Sequence, residues 1–221
     1  MLYDLHTHTF HSDGVLSPLE LIHRAFVIGY TGIAITDHVA LGSLERMLNE
    51  IREDCALARK HWNIKAIPGV ELTHLPVHAI PEIAEAAREL GAQIVIVHGE
   101  TTTEPVPRGT NLAAINCLFV DILAHPGLIT MEEAKLAAKN GIYLELSARR
   151  GHMNSNAHVA EMAQKAGAKM LVNSDAHDEH NLLTPAIIAE IVEKAGAGSL
   201  MIEIMEQNPL ALIAKIENRS R

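Results

Sequence analysis

Two histidines near the start of the chain have the spacing of a metal site. His6 and His8 follow a short apolar segment, residues 2–5, that is typical of a buried strand. Because side chains alternate along a strand, both imidazoles lie on the same face. Imidazoles are common ligands of transition metals, but a His-x-His pair is a weak signal and also occurs at strand ends that bind nothing.

Histidines and carboxylates recur where other predicted strands end. Apolar segments at residues 32–36, 64–70, 93–97, 120–124, 142–146 and 169–173 read as buried strands. In a parallel α/β barrel the carboxyl ends of the strands open on one face, where catalytic residues collect. The residues at the ends of these strands and of the first are His6, His8, Asp37, His38, Glu71, His98, His125, Asp175 and His177.

The donor set indicates a hydrolytic metal centre. Imidazoles and carboxylates without thiolates suit Zn²⁺, Mn²⁺ or Fe²⁺. Asp13, in a polar turn after the first strand, adds another candidate ligand. These ligands are too many for one ion with an open position, so we expect two or three divalent ions. A carboxylate such as Glu71 would bridge two of them.

Helical segments alternate with the strands. They are predicted at about residues 18–29, 41–61, 81–90, 112–118, 131–140, 156–166, 185–195 and 209–216. Seven strand–helix repeats with apolar strands predict a parallel sheet covered by helices. Because there is no Gly-x-Gly-x-x-Gly loop, a closed barrel is favoured over a doubly wound nucleotide-binding sheet.

Composition narrows the class of protein. A chain of 221 residues with 48% hydrophobic content is consistent with one domain. A net charge of −9 argues against binding long nucleic acids, and no apolar run is long enough for a membrane span. Cys55 and Cys117 are isolated, which predicts buried thiols in a reducing, cytoplasmic compartment.

The same stretches carry a family resemblance. The chain resembles the PHP (polymerase and histidinol phosphatase) superfamily, in particular its histidinol-phosphatase-type members. The matching stretches are collinear from residue 2 to residue 177: Asp4-Leu5-His6-Thr7-His8, Ser12-Asp13-Gly14, Ile35-Thr36-Asp37-His38, Pro68-Gly69-Val70-Glu71, Val97-His98, Ala124-His125-Pro126-Gly127 and Ser174-Asp175-Ala176-His177.

The resemblance implies a distorted (β/α)7 TIM-like barrel, a single domain over residues 1–221, with a trinuclear metal site. It assigns the first ion to His6, His8, Glu71 and Asp175, the second to Glu71, His98 and His125, and the third to Asp13, His38 and His177. Glu71, Asp175 and His177 are also the expected catalytic residues.

The implied activity is metal-dependent hydrolysis of a phosphoester by a metal-activated water. The expected substrate is a small phosphate monoester, as for a histidinol-phosphate phosphatase. One alternative is a nucleotide phosphodiesterase or nuclease. A second is a non-enzymatic subunit like relatives in ribonuclease P, which the intact ligand set argues against. The sequence does not distinguish the physiological substrate, the native metal or the oligomeric state.

Substrate contacts are expected near the metal ligands. Arg149 or Arg150, after the sixth strand, could bind a phosphate oxygen, and Arg108 is a weaker candidate in the long loop 100–109. His11 is a tentative substrate residue. Asp37 is expected to orient a ligand imidazole. Three further histidines are expected at the cavity entrance or surface, namely His74, His78 and His152.

Overall fold

The strands form one parallel sheet that curls into a nearly closed barrel. This is a computed structural model, and it describes residues 1–219. The sheet follows the order β1-β2-β4-β5-β6-β7-β8, with β3 paired to β4. Its strands are β1 (Tyr3–Asp4), β2 (Gly32–Ile35), β3 (His38–Val39), β4 (Lys65–Leu72), β5 (Ile94–His98), β6 (Ile122–Ala124), β7 (Tyr143–Ser147) and β8 (Met170–Asn173).

The strands β2 and β3 occupy one position in the barrel. Ile35 pairs with Pro68 and His38 pairs with Glu71, so the same register continues across the break. The barrel therefore has seven strand positions, and the predicted distorted TIM-like α/β fold is confirmed. The predicted third strand is longer than expected, because β4 extends to Leu72 and places Glu71 within the ladder.

Eight α-helices cover this barrel within the described residues. They are α1 (Pro18–Val27), α2 (Leu41–His61), α3 (Ile80–Glu89), α4 (Thr110–Asn116), α5 (Met131–Asn140), α6 (Asn156–Ala166), α7 (Pro185–Lys194) and α8 (Asn208–Arg219). Local sequence explains their starts: the Ser17 side chain caps α1, and Thr130 forms a capping box with Glu133 at α5. None of the helices in residues 1–219 combines the length and apolarity needed to span a bilayer.

The barrel closes through residues just beyond β1 and β8. The Asp175 N–H donates to the carbonyl of His6 at 3.0 Å, and the His8 N–H donates to the carbonyl of Ala176 at 2.8 Å. Nearer the strand starts, a side chain replaces the ladder: the Leu5 N–H donates to Asn173 Oδ1 at 3.0 Å. The backbone hydrogen bonds of this seam between the first and last strands therefore lie at the end of the barrel where the predicted ligands lie.

The other end of the barrel is covered by α8. The barrel interior is filled by apolar side chains such as Ile94 and Leu171, and Leu212, Ile213 and Ile216 of α8 pack onto them as one buried cluster. Removal of this apolar surface from water stabilises the closed barrel.

A buried carboxylate attaches α8 to the barrel. Asp121 is fully buried just before β6, and its side chain pairs with Arg88 of α3. Its Oδ1 lies 2.8 Å from Arg219 Nη1 and 3.5 Å from Lys215 Nζ. A buried carboxylate is tolerated only when it is paired and hydrogen-bonded, so Asp121 and these cations depend on one another.

We expect Asp121→Asn to lower the free energy of unfolding by about 3–5 kcal/mol, because it leaves several cations without their shared counter-charge. Denaturant unfolding would measure this change. The matched control is Glu217→Gln in α8, which breaks the exposed ion pair of Glu217 with Lys65 of β4. The control should cost less than about 1 kcal/mol. Equal effects of the two substitutions would contradict a special role for Asp121.

Candidate metal centre

The predicted ligands converge at the carboxyl ends of the strands. They surround a cavity of about 520 Å³. Six of the nine predicted ligands line this cavity, and the side chains of His6, His8 and Glu71 lie buried behind its wall. The six lining residues are Asp13, His38, His98, His125, Asp175 and His177.

Four of the nine predicted ligands form a tight group around the end of β1, namely His6, His8, Glu71 and Asp175. The Nε2 atoms of His6 and His8 are 3.0 Å apart. His6 Nε2 lies 3.4 Å from Glu71 Oε1, and His8 Nε2 lies 3.2 Å from Asp175 Oδ1. Two ligands bound at 2.0–2.2 Å to one ion are about 3.0–3.4 Å apart, so these spacings fit a shared cation.

Glu71 connects this group to the other predicted ligands. Its Oε1 lies 3.6 Å from His125 Nε2, and its Oε2 lies 2.6 Å from His38 Nδ1. The rings of His125 and His98 are edge to face, with centroids 4.5 Å apart. The central position of Glu71 is the one expected of a bridging ligand.

A third group lies on the solvent side. Asp13 Oδ1 lies 3.0 Å from His177 Nε2 and 3.5 Å from His38 Nε2. The ring of His8 lies beside both imidazoles, with centroids 4.2 Å from His38 and 4.3 Å from His177. The Asp13 side chain is half exposed, so this group is the most open of the three.

Buried polar atoms in the site lack hydrogen bonds to the described residues. Among them are Glu71 Oε1, His8 Nδ1 and His125 Nδ1. Such atoms are rare in folded proteins and each needs an explanation. For Glu71 Oε1 the nearest groups are imidazole nitrogens rather than donors held in line. A divalent cation would satisfy this oxygen, and the donor set therefore fits a metal.

Burial favours neutral imidazoles at two positions. Burial and the neighbouring His38 and His6 rings hold the pKa of His8 well below its ordinary value. Burial and the adjacent His98 ring do the same to the pKa of His125. The neutral form is the one that ligates a metal.

A carboxylate that the sequence reading did not single out orients His6. Glu145 is fully buried in β7, and its Oε2 lies 2.8 Å from His6 Nδ1 and 2.9 Å from the Asn173 side-chain amide. This contact directs Nε2 of His6 towards the site, as carboxylates behind metal-bound histidines do. In the sequence, Glu145 could have been recognised because it is the one charged residue in the apolar segment 142–146.

Asp37 has a different role from the one predicted. Its carboxylate accepts hydrogen bonds from the backbone N–H and the hydroxyl of Thr9, at 2.8 and 2.7 Å, and from the Ser12 hydroxyl at 2.6 Å. The prediction that Asp37 orients an imidazole was therefore wrong. Asp37 instead shapes the turn that presents Asp13.

The predicted substrate residues are not equally placed. Arg149 lines the cavity, and its Nε lies 3.8 Å from Asp175 Oδ2. Arg150 and Arg108 are exposed and are not among the described residues that line the cavity. His11 is not among the described residues that line the cavity, and its Nδ1 lies 3.2 Å from Glu50 Oε2 on α2. Its tentative substrate role gains no support from this position.

His152, which was predicted at the entrance or surface, lines the cavity and is not a surface residue. It is only 4% exposed, and its ring stacks on His125 with centroids 4.1 Å apart. His78 is exposed, and His74 is an exposed residue at the cavity entrance, as predicted. The loop 100–109 also reaches the site, because Glu104 lines the cavity.

A larger cavity of about 1000 Å³ lies elsewhere, near the starts of β5 and β6. It is lined by arginines such as Arg52 and Arg59, together with Gln93 and Phe119. None of the predicted ligands lines it, so size does not identify the chemical site here.

Comparisons with known proteins give a family match and individual relatives. A family model described as PHP domain matches residues 4–207. An uncharacterized protein from Methanocaldococcus jannaschii is 43% identical over 90% of both chains. The DNA polymerase/3'-5' exonuclease PolX from Bacillus subtilis is 30% identical over 79% of this chain, which spans 34% of that protein. A probable phosphatase from Thermoanaerobacter sp. (strain X514) is 27% identical over 89% of this chain and 87% of its own length.

A solved structure shares the fold. The histidinol phosphate phosphatase from Lactococcus lactis, complexed with zinc, L-histidinol and phosphate, superposes with a TM-score of 0.61 and 17% identity. The match covers 88% of this chain and 94% of the other. At this identity the likeness concerns the architecture alone.

We expect the purified protein to contain two or three divalent ions per chain, because three groups of ligand atoms meet around Glu71. Mass spectrometry after extensive dialysis would measure the content. Absence of bound metal, together with no uptake of added Mn²⁺ or Zn²⁺, would contradict the metal assignment.

Glu71→Gln should weaken the binding of two ions together and abolish hydrolysis, because the bridging charge is lost. The circular dichroism spectrum should be unchanged, since the amide keeps the shape of the side chain. Metal content and turnover would be measured in parallel with Glu132→Gln, an exposed carboxylate on α5. Near-wild-type turnover of Glu71→Gln at saturating metal would show that Glu71 is not a bridge.

Proposed function

The chain belongs to the PHP domain family, and on that premise we propose that it is a metal-dependent phosphoesterase that hydrolyses a small phosphate monoester. The observation that supports this proposal most directly is the position of Arg149 on the wall of the cavity that holds the predicted ligands. A guanidinium beside a metal centre is suited to bind a phosphate oxygen.

The proposed ligands form three groups, one for each ion. His6, His8, Glu71 and Asp175 would hold the first ion, Glu71, His98 and His125 the second, and Asp13, His38 and His177 the third. Bound divalent ions would polarise the phosphoryl oxygens and lower the pKa of a coordinated water. We propose zinc, manganese or iron, because the donors are imidazoles and carboxylates.

Two side chains at the cavity wall would bind the phosphate and accept a proton. Arg149 Nη1 donates to the backbone carbonyl of Asp175 at 3.2 Å and also contacts the His177 ring. These contacts hold the guanidinium beside the ligands and leave its other donors for a phosphate oxygen. The carboxylate of Asp175, with Oδ2 3.8 Å from both Arg149 Nε and His125 Nε2, would accept the proton of the attacking water.

A small monoester fits the cavity better than a long polymer. The volume of about 520 Å³ is that of a site for a small molecule. The chain carries a net charge of −9, so it lacks the overall positive charge that favours binding a nucleic-acid backbone. The intact set of candidate ligands also argues against a purely structural subunit.

A nuclease is the second candidate, and the B. subtilis relative favours it. That protein is 30% identical over most of this chain and is named for a 3'-5' exonuclease activity. The same metal centre could cleave a terminal phosphodiester, because the chemistry at phosphorus is shared. The two candidates differ in whether the phosphorus carries one ester bond or two.

A substrate panel would separate the candidates. It would contain p-nitrophenyl phosphate, nucleoside monophosphates, bis-p-nitrophenyl phosphate and a short oligonucleotide, each with Mn²⁺ and Zn²⁺. We expect hydrolysis of the monoesters and loss of activity with a chelator. Faster cleavage of the diester and the oligonucleotide would favour the nuclease. No hydrolysis of any compound by metal-loaded protein would support a non-enzymatic role.

Arg149→Ala should raise the KM for a phosphate monoester and lower kcat/KM by roughly 10–100-fold, as expected for the loss of a charge-assisted hydrogen bond. Metal content should stay the same, because arginine does not bind cations. Arg150→Ala is the matched control, since Arg150 is exposed one residue away, and it should change kcat/KM by less than about twofold. Comparable kinetics in both variants would leave phosphate binding to the metal ions alone.

A further inference from the structure

We propose that His152 and Glu104 are additional metal ligands that act with His98 at the mouth of the cavity. Neither residue belongs to the nine-residue set that the family resemblance assigns. This inference rests on the proposed metal-dependent function and adds the ligand set that controls access to one ion. It is carried by the contacts of these two side chains and of the loop that joins β5 to α4.

His152 is held as a ligand histidine is held. Its Nδ1 lies 2.7 Å from Thr101 Oγ1 and 3.1 Å from Thr103 Oγ1. These hydroxyls leave Nε2 to face the site, where it lies 3.5 Å from Glu104 Oε1. The two ring nitrogens of His98 have the same two kinds of neighbour. Its Nδ1 lies 3.2 Å from the Gly99 carbonyl, and its Nε2 lies 3.2 Å from Glu104 Oε2. Contacts of this kind fix the orientation of metal-bound imidazoles.

Burial adds to this argument. His152 is 4% exposed and stacks on His125, with an interplanar angle of 16°. The imidazoles of His98, His125 and His152 bring their ligand atoms within 4.8 Å of one another. A cation placed among these ligand atoms could be bound by all three rings.

Glu104 supplies the charge that these imidazoles lack. Its Oε2 lies 3.2 Å from His98 Nε2, and its Oε1 lies 3.5 Å from His152 Nε2. The spacings are close to the roughly 3.0–3.4 Å expected between ligands of one ion. Two imidazoles and a carboxylate suit zinc, manganese or iron. Glu104 Oε2 also lies 3.6 Å from the exposed His74, so the carboxylate sits at the entrance.

The two ligands differ in how firmly they are placed. His152 is buried and tied to two threonines, whereas the Glu104 side chain is 40% exposed on the loop 100–109. Like the Glu104 carboxylate, a phosphate ester offers anionic oxygen ligands. Glu104 is therefore the displaceable ligand, and an entering phosphate ester takes its position beside His98 and His152.

Metal binding by the chelator-treated full-length chain tests His152. Isothermal titration calorimetry with Mn²⁺ and with Zn²⁺ should show that His152→Ala weakens one binding step by about tenfold or more. The other steps should keep their affinity. His78→Ala, which changes an exposed histidine that is not among the described residues lining the cavity, is the control and should match the wild type.

Glu104→Gln gives an independent test, because an exposed loop residue can be changed without endangering the fold. We expect weaker metal binding at the same step and tighter binding of inorganic phosphate by the metal-loaded protein, by a factor of about three or more, since a competing negative charge is removed. Both constants are measured without turnover. Glu132→Gln serves as the charge-matched control.

The outcomes separate this inference from the proposed function. Wild-type protein that binds no metal would overturn both. Wild-type protein that binds metal, with unchanged metal affinity in folded His152→Ala and unchanged metal and phosphate affinity in Glu104→Gln, would overturn only the additional ligands. If His152→Ala does not fold, the Glu104→Gln measurements decide the question.

Discussion

The structure depends on how it accommodates the imidazole nitrogens that crowd around a buried carboxylate. Glu71 is fully buried, and imidazole nitrogens of His6, His38 and His125 lie 2.6–3.6 Å from its oxygens. Such a group is costly in an apolar interior unless a positive charge compensates it. Protons on the imidazoles or divalent ions can supply that charge, and the donor set fits a metal centre.

The closure of the barrel and the candidate centre use the same residues. The backbone of His6 and His8 makes the hydrogen bonds that close the seam with Asp175 and Ala176. Two of the predicted ligands also have left-handed backbones, with φ of 28° at His125 and 53° at Asp175. Such conformations cost roughly 1–3 kcal/mol each and persist where the surrounding structure requires them. The strain therefore lies where the chain aims its ligands.

The loop between β5 and α4 brings further side chains to the candidate site. Its two ends are held by Glu100, whose Oε1 accepts hydrogen bonds from the N–H groups of Gly109 and Asn111 at 2.9 and 3.0 Å. Between these anchors, Thr101 contacts His152 and Glu104 reaches the cavity. The predicted ligands lie at the ends of the barrel strands, and in barrels of this kind the loops commonly carry the groups that distinguish one substrate from another.

The sequence by itself determined the barrel and the set of candidate ligands. Strand–helix alternation depends on local hydrophobic patterning, and α5 and α6 end where predicted because left-handed glycines, Gly141 and Gly167, follow them. His6, Glu71 and Asp175 could be recognised because they follow or end apolar strands, and parallel strands bring those ends to one face.

Only the tertiary structure decided how the side chains around these ligands are directed. Glu145 reaches His6 across the barrel interior, 139 positions along the chain, and His152 turns inwards because a loop 49–51 positions earlier offers its threonines. His11 instead lies beside Glu50 of α2. Such contacts depend on rotamers and on the packing of distant elements, which residue type and spacing do not specify.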